Sequence, residues 1–257
     1  LIFQEMMVTT RRPTVASRAL ADQLRPVVDA HRTIQQHGYG RSDAERARAR
    51  ILSGRTGFDA WELIEDTGDL SVAFGEMAAA FELAGLASTS SISTMEQMHV
   101  DATSTILSWA NSESEPRDPS LRLARRIAGV VGNAILSHIA RDVMLGLSPL
   151  AWKRSLCPCC GAAPDLAFQT EVRRYLICWR CDTTWRTNDR GCLGCGESAP
   201  PTLVRIPSPY LGYELAICNS CGRYLKERRG GLTHEPIVER ALTAGLDDAA
   251  RQRGLRN

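Results

Sequence analysis

Four Cys-x-x-Cys pairs fall within the 65 residues from Cys157 to Cys221: Cys157/Cys160, Cys178/Cys181, Cys192/Cys195 and Cys218/Cys221. One such pair is a weak signal, because redox motifs share it. Four in so short a span point to metal, because two thiolates three positions apart converge on one ion when the backbone turns tightly between them. Two such knuckles supply the four sulfurs of a closed tetrahedral site. A glycine after the second cysteine eases the turn by permitting positive φ. Gly161, Gly196 and Gly222 hold that place in three pairs, and Asp182 holds it in the other.

The cysteines also divide the chain. All nine lie between residues 157 and 221 of 257, and the first 156 residues contain none. The expected organisation is a helical domain over 1–151, a tandem four-cysteine domain over 152–229, and a tail over 230–257 with a short helix at Pro236–Gly254. The fold class expected is α+β: an N-terminal all-α domain followed by two tandem rubredoxin-like or zinc-ribbon β lobes. In the N-terminal part, Asp118-Pro119 reads as a cap followed by proline at the first helical position. Leu123, Ile127, Val130, Val131, Ala134, Ile135 and Ile139 then recur at helical spacing, and Gly146 is a stop. Phe74, Met77, Ala78, Phe81 and Ala84 mark a second helical face. Met95, Met98, Val100, Ile106 and Trp109 suggest a third. The polar run 111–119 reads as a loop, and residues 1–15 carry little apolar surface to order them.

Past Cys157, the runs 166–172, 173–178, 202–206 and 213–218 read as short strands. The pattern knuckle, strands, Leu176-Ile177-Cys178 is repeated as knuckle, strands, Leu215-Ala216-Ile217-Cys218. Each half carries one full set of ligands. This favours sequential pairing, 157/160/178/181 and 192/195/218/221, over an interleaved cross-brace. The alternative chemistry, disulfides, fits poorly with an odd cysteine count and the absence of an apolar leader. Cys159, inside the first pair, reads as a bystander. His31, His37, His99 and His138 are scattered and suggest no catalytic group. His138 reads as structural.

Composition narrows the function further. The net charge is +2 and hydrophobic residues make up 44%, so the chain is globular, with no bulk attraction to nucleic acid or membrane. No apolar run is long enough to span a bilayer, and a cytoplasmic location is expected. Phosphate-cradling loops, nucleophile elbows and His-Glu zinc motifs are missing. With four protein thiolates per site, no coordination position is left for substrate, and no enzyme is expected. Two other functions compete. One is a zinc-ribbon nucleic-acid binder, since residues 150–229 carry 12 Lys/Arg against 7 Asp/Glu. The other is a rubredoxin-like electron carrier.

Residues 152–226 resemble a known family, the formate dehydrogenase accessory proteins of the FdhE type. The resemblance rests on Trp152-Lys153-Arg154, Cys157-Pro158-Cys159-Cys160-Gly161, Pro164, Arg174-Tyr175-Leu176 and Cys178/Cys181. It continues through Trp185, Arg190, Cys192/Cys195-Gly196, Cys218/Cys221 and Tyr224-Leu225-Lys226. What it implies is a cytoplasmic maturation factor that acts on the catalytic subunit of formate dehydrogenase or a related oxidoreductase. It also implies rubredoxin-like iron at the eight paired cysteines, where the spacing alone admits iron or zinc. The sequence departs from the family after Lys226. Glu227-Arg-Arg-Gly-Gly-Leu-Thr-His234 stands where an acidic segment is usual, and Asp247-Asp248 come late.

Overall fold

The structure is a computed structural model. It describes residues 15–256 apart from 41, 112–115, 149–151, 172, 190, 200–201 and 209–211. The expectation for residues 1–14, and much of that for the loop at 111–119, therefore lies outside the described residues.

Among the described residues eight helices precede the cysteines: α1 (Val15–Gln23), α2 (Arg25–His37), α3 (Ala44–Leu52), α4 (Ala60–Glu65), α5 (Ser71–Leu83), α6 (Thr89–Gln97), α7 (Ala102–Ala110) and α8 (Pro119–Met144). The long α8 is the axis around which α2 to α7 pack. It begins as expected: the Asp118 carboxylate accepts the amides of Ser120 and Leu121, and Pro119 opens the first turn. It ends as Leu145 turns extended, with Gly146 at φ 81°. Its 26 residues span about 39 Å. Ala124, Ile127, Val131, Ile135, Leu136 and Val143 are fully buried along it.

Helices α3, α4 and α7 start on Asp43, Asp59 and Asp101, and α6 on Ser88; each side chain accepts a backbone amide of the first turn. These caps satisfy donors that a helix start leaves open. The first two mark helices that apolar periodicity does not reveal, because each is shorter than three turns.

Six strands follow among the described residues: β1 (Pro164–Gln169), β2 (Arg174–Cys178), β3 (Thr184–Thr187), β4 (Leu203–Pro207), β5 (Tyr213–Cys218) and β6 (Tyr224–Arg229). The α+β class stands, with a refinement. The two repeat halves merge into one sheet of order β3-β2-β1-β6-β5-β4. Neighbours within each half are antiparallel, and the halves join where β1 runs parallel to β6 over Leu166–Gln169.

Strand β6 sits mid-sheet, although its sequence, Tyr-Leu-Lys-Glu-Arg-Arg, is mostly charged. Each buried charge meets an opposite one: Lys226 with Asp247, Glu227 with Arg174 and Arg205, Arg228 with Glu239. Burial of those groups is tolerable only because they are paired and hydrogen-bonded. The partners Glu239 and Asp247 come from the tail, which forms two helices, α9 (Pro236–Leu242) and α10 (Ala244–Gln252). The single helix expected over 236–254 is broken at Thr243, whose hydroxyl donates to the Glu239 carbonyl at 2.7 Å.

One apolar core runs through the helices and into the cysteines. Cys157, Cys159, Cys160, Cys178, Cys181 and Trp185 belong to the same cluster as Val131 and Ile135. Across the sheet, Leu215, Ile217 and Tyr224 form a smaller cluster with Ala250 of α10.

Candidate metal centres

The four knuckles repeat one backbone pattern. The first cysteine amide donates five residues on: Cys157 to Ala162, Cys178 to Thr183, Cys192 to Glu197 and Cys218 to Arg223, at 2.7–3.0 Å. The amide after the second cysteine returns to the first cysteine's carbonyl, from Gly161, Asp182, Gly196 and Gly222, at 2.8–3.1 Å. That closing residue has φ of 72°, 54°, 78° and 69° respectively. Glycine reaches this region without strain, and Asp is among the few other residues that do. Asp182 has an additional hold, because its carboxylate accepts from Arg240 of α9 at 2.7 Å.

The knuckles bring the eight sulfurs into two groups, Cys157/Cys160/Cys178/Cys181 and Cys192/Cys195/Cys218/Cys221, in which all Sγ atoms lie within 4.8 Å of one another. In the first group Cys157 and Cys181 are 3.6 Å apart, and Cys160 is 3.5 Å from both Cys178 and Cys181. In the second, Cys192–Cys221 is 3.5 Å and Cys195–Cys218 is 3.6 Å. A metal with bonds of ~2.3 Å to four tetrahedral sulfurs sets them ~3.8 Å apart. The donor set and spacing therefore fit one ion per group, and the grouping is the sequential one. Among the described residues these are the two groups that could hold a metal. The fifth cysteine of that region, Cys159, is buried outside both, with Sγ 3.9 Å from the Ala140 carbonyl oxygen.

Each group holds its protons unevenly. Burial pushes Cys157 and Cys181 up, and it pushes Cys192 up to about 12. Burial also opposes ionisation of Cys178 and Cys218, but donors outweigh it. The Cys157, Cys160 and Cys181 thiols and the Arg180 amide hold Cys178 well below its ordinary value. The amides of Cys221 and Ser220 with the Cys195 thiol hold Cys218 at about 7. One cysteine per group is thus held toward the thiolate, while Cys157, Cys181 and Cys192 must release protons as the sites fill.

The first group is wedged between helices and sheet. The amides of Gly57 and Phe58, before α4, donate to the carbonyls of Pro158 and Cys159, each at 2.9 Å. Asn133 of α8 donates to the Arg180 carbonyl at 3.2 Å, and its oxygen lies 2.8 Å from His31 Nε2. Trp179, at the tip of the second knuckle, meets Trp109 edge-on with centroids 5.3 Å apart. Arg240 bonds the Cys178 carbonyl at 2.8 Å and both oxygens of Asp165. Beside this junction lies a cleft of about 700 Å³, with Cys181–Thr184 on one wall and His31, His138 and Arg141 on another.

Sequence reasoning missed Asn133 and Arg240 as partners of the first group. A polar residue inside the apolar stripe of α8 was a signal for Asn133. Arg240 carried none, since its partners are 58 and 75 residues away in the chain. Of the histidines, His31 is buried against Asn133, His37 bonds the Thr33 carbonyl, and His138 is half-buried at the cleft. None joins a cysteine group. Arg190 lies outside the described residues.

The fold and the site together define a class of protein: a helical bundle bearing two four-cysteine centres on a single sheet. No family model matches the chain. It is 27% identical over 108 residues to a protein FdhE homolog of Haemophilus ducreyi, a stretch covering 40% of this chain and 35% of that relative. It is 30% identical over 78 residues to protein FdhE of Escherichia coli, covering 29% of this chain and 25% of that one. The match thus spans about a third or less of the length of these curated relatives. In fold, the crystal structure of the FdhE protein from Pseudomonas aeruginosa is similar over 95% of this chain and 94% of that one, with a TM-score of 0.60 and 19% identity. Over that stretch of sequence, and in fold, the chain is similar to FdhE proteins. Among the described residues no helix is long and apolar enough to cross a membrane.

Proposed function

We propose that this chain is a cytoplasmic, non-enzymatic accessory factor that binds a metal ion at each cysteine group. Its client is the catalytic subunit of formate dehydrogenase or a related oxidoreductase, which it holds during assembly. The observation that carries the reading is the pair of four-sulfur groups at tetrahedral spacing, set on a sheet that a helical bundle grips. Cys157, Cys160, Cys178 and Cys181 hold one ion, and Cys192, Cys195, Cys218 and Cys221 the other. The ions are iron, as the family resemblance implies, or zinc, which the same donors suit.

The proposed division is 1–151 as helical domain, 152–229 as metal-binding domain and 230–257 as tail. A protein client is favoured over nucleic acid because four basic residues of the sheet are engaged internally. Arg174, Arg205, Lys226 and Arg228 all pair with carboxylates of the chain. Electron transfer alone would not call for a helical domain twice the size of the sheet.

Two experiments test this. Elemental analysis with visible absorption of protein purified without oxygen should give two metals per chain and name them; one metal per chain would break the two-site reading. Affinity capture from a host expressing formate dehydrogenase should enrich its catalytic subunit; no enrichment, with metal bound, counts against the client but not the centres.

A further inference from the structure

The two centres share ligand type and knuckle geometry but differ in surroundings. In the first group every cysteine is buried, at 0%, 8%, 0% and 1% exposure for Cys157, Cys160, Cys178 and Cys181. Its knuckles are held from outside the sheet by Gly57, Phe58, Asn133, Trp109 and Arg240. In the second group Cys195 is exposed and Cys221 half-buried. Its third knuckle presents Gly194, Cys195 and Gly196 to solvent. The fourth is held by neighbours of the sheet's own half and by the last described residue, through Asn219 to Thr202 at 2.8 Å and Arg256 to Gly222 at 2.9 Å. Among the described residues no hydrogen bond joins either knuckle to α8.

We propose that the two centres have separate tasks. The 157/160/178/181 centre is a fixed clamp between helices and sheet, while the 192/195/218/221 centre exchanges its metal with a thiolate acceptor that approaches at Cys195. The inference rests on both groups binding metal. Closed four-thiolate sites exchange by substitution, so lability follows from whether an incoming ligand can reach the ion and a resident one can swing away. At the second centre a new sulfur–metal bond would form as the bond to Cys195 Sγ breaks, and the bonds to Cys221, Cys192 and Cys218 would be replaced in the same way before the ion leaves. Cys195 leaves as a thiolate and takes a proton from water, and the metal keeps its oxidation state. At the first centre the same step requires opening the α8 and α4 contacts.

The test uses the full chain loaded with two equivalents of Zn²⁺, mixed with excess 4-(2-pyridylazo)resorcinol, with and without reduced glutathione. Release is followed by colour and tryptophan fluorescence. Two phases of one zinc each are expected, the first on the order of a hundredfold faster, because the second requires local unfolding. Glutathione should accelerate the first phase alone. Tryptophan fluorescence should change with the second phase, since Trp109, Trp179 and Trp185 surround the first centre. Cys195→Ser should retain one zinc and show the slow phase only. Asn133→Ala should speed the slow phase and leave the fast one. Release of both zincs in one phase, or loss of the slow phase in Cys195→Ser, would overturn the division of tasks. A chain that takes up no metal would instead overturn the metal-binding reading beneath it.

Discussion

Asn133 of α8 donates to the Arg180 carbonyl, in the turn between Cys178 and Cys181, at 3.2 Å. Its side-chain oxygen meets His31 of α2 at 2.8 Å. One buried amide therefore ties two helices to a metal-binding knuckle. Asn133→Ala removes both bonds, and losing the partner of a buried polar group costs about 1–3 kcal/mol. Denaturant unfolding should show a loss of that size.

The helix–knuckle contact also depends on a missing side chain. A Cβ at Gly132 would lie 2.4 Å from Cζ3 of Trp109, the ring that packs on Trp179. Gly132→Ala should destabilise by about 1–3 kcal/mol through overpacking and shift tryptophan fluorescence. Gly75→Ala, exposed on α5 with nothing within 4 Å of the new methyl, should instead stabilise by about 0.5–1 kcal/mol. Equal effects at the two positions would refute the packing account.

Arg240 satisfies Asp165, Asp182 and the Cys178 carbonyl together. Arg240→Ala leaves two largely buried carboxylates without their cation, at a cost of about 3 kcal/mol. Asp182→Gly keeps the positive φ but loses the ion pair, whereas Asp182→Ala loses both. Thermal melts should therefore rank wild type above Asp182→Gly, and Asp182→Gly above Asp182→Ala.

Burial holds His31 below its ordinary value of 6.5, and the bond to Asn133 offsets this only in part. In acid the unfolded chain takes up this proton before the folded one. Stability from this residue is thus complete above pH 6.5 and falls as pH drops toward the folded value. Melts between pH 7.5 and 5.5 should show a smaller decline for His31→Gln than for wild type, measured at equal metal content.

Cys192, pushed up to about 12 by burial, is protonated at neutral pH. Filling the second centre must release that proton, so apparent metal affinity should weaken as pH falls. Titration of the metal-free chain with Zn²⁺ in weakly buffered solution should acidify it. No proton release would argue against thiolate ligation.

Cysteine spacing alone determined the eight candidate ligands, and the tandem repeat their sequential grouping, because a knuckle is local: five or six residues fix where both sulfurs point. Helix α8 was legible for the same reason, since its cap and apolar stripe lie in one continuous stretch. Tertiary structure decided the rest. Strand β6 looks too charged to bury until Arg174, Arg205, Asp247 and Glu239 arrive from elsewhere in the chain. The joining of two lobes into one sheet is a parallel pairing of β1 and β6, some sixty residues apart, and no local pattern encodes it. The asymmetry of the four-cysteine groups has the same origin. Their sequences are near repeats, and what buries one and exposes the other is which of them α8 packs against.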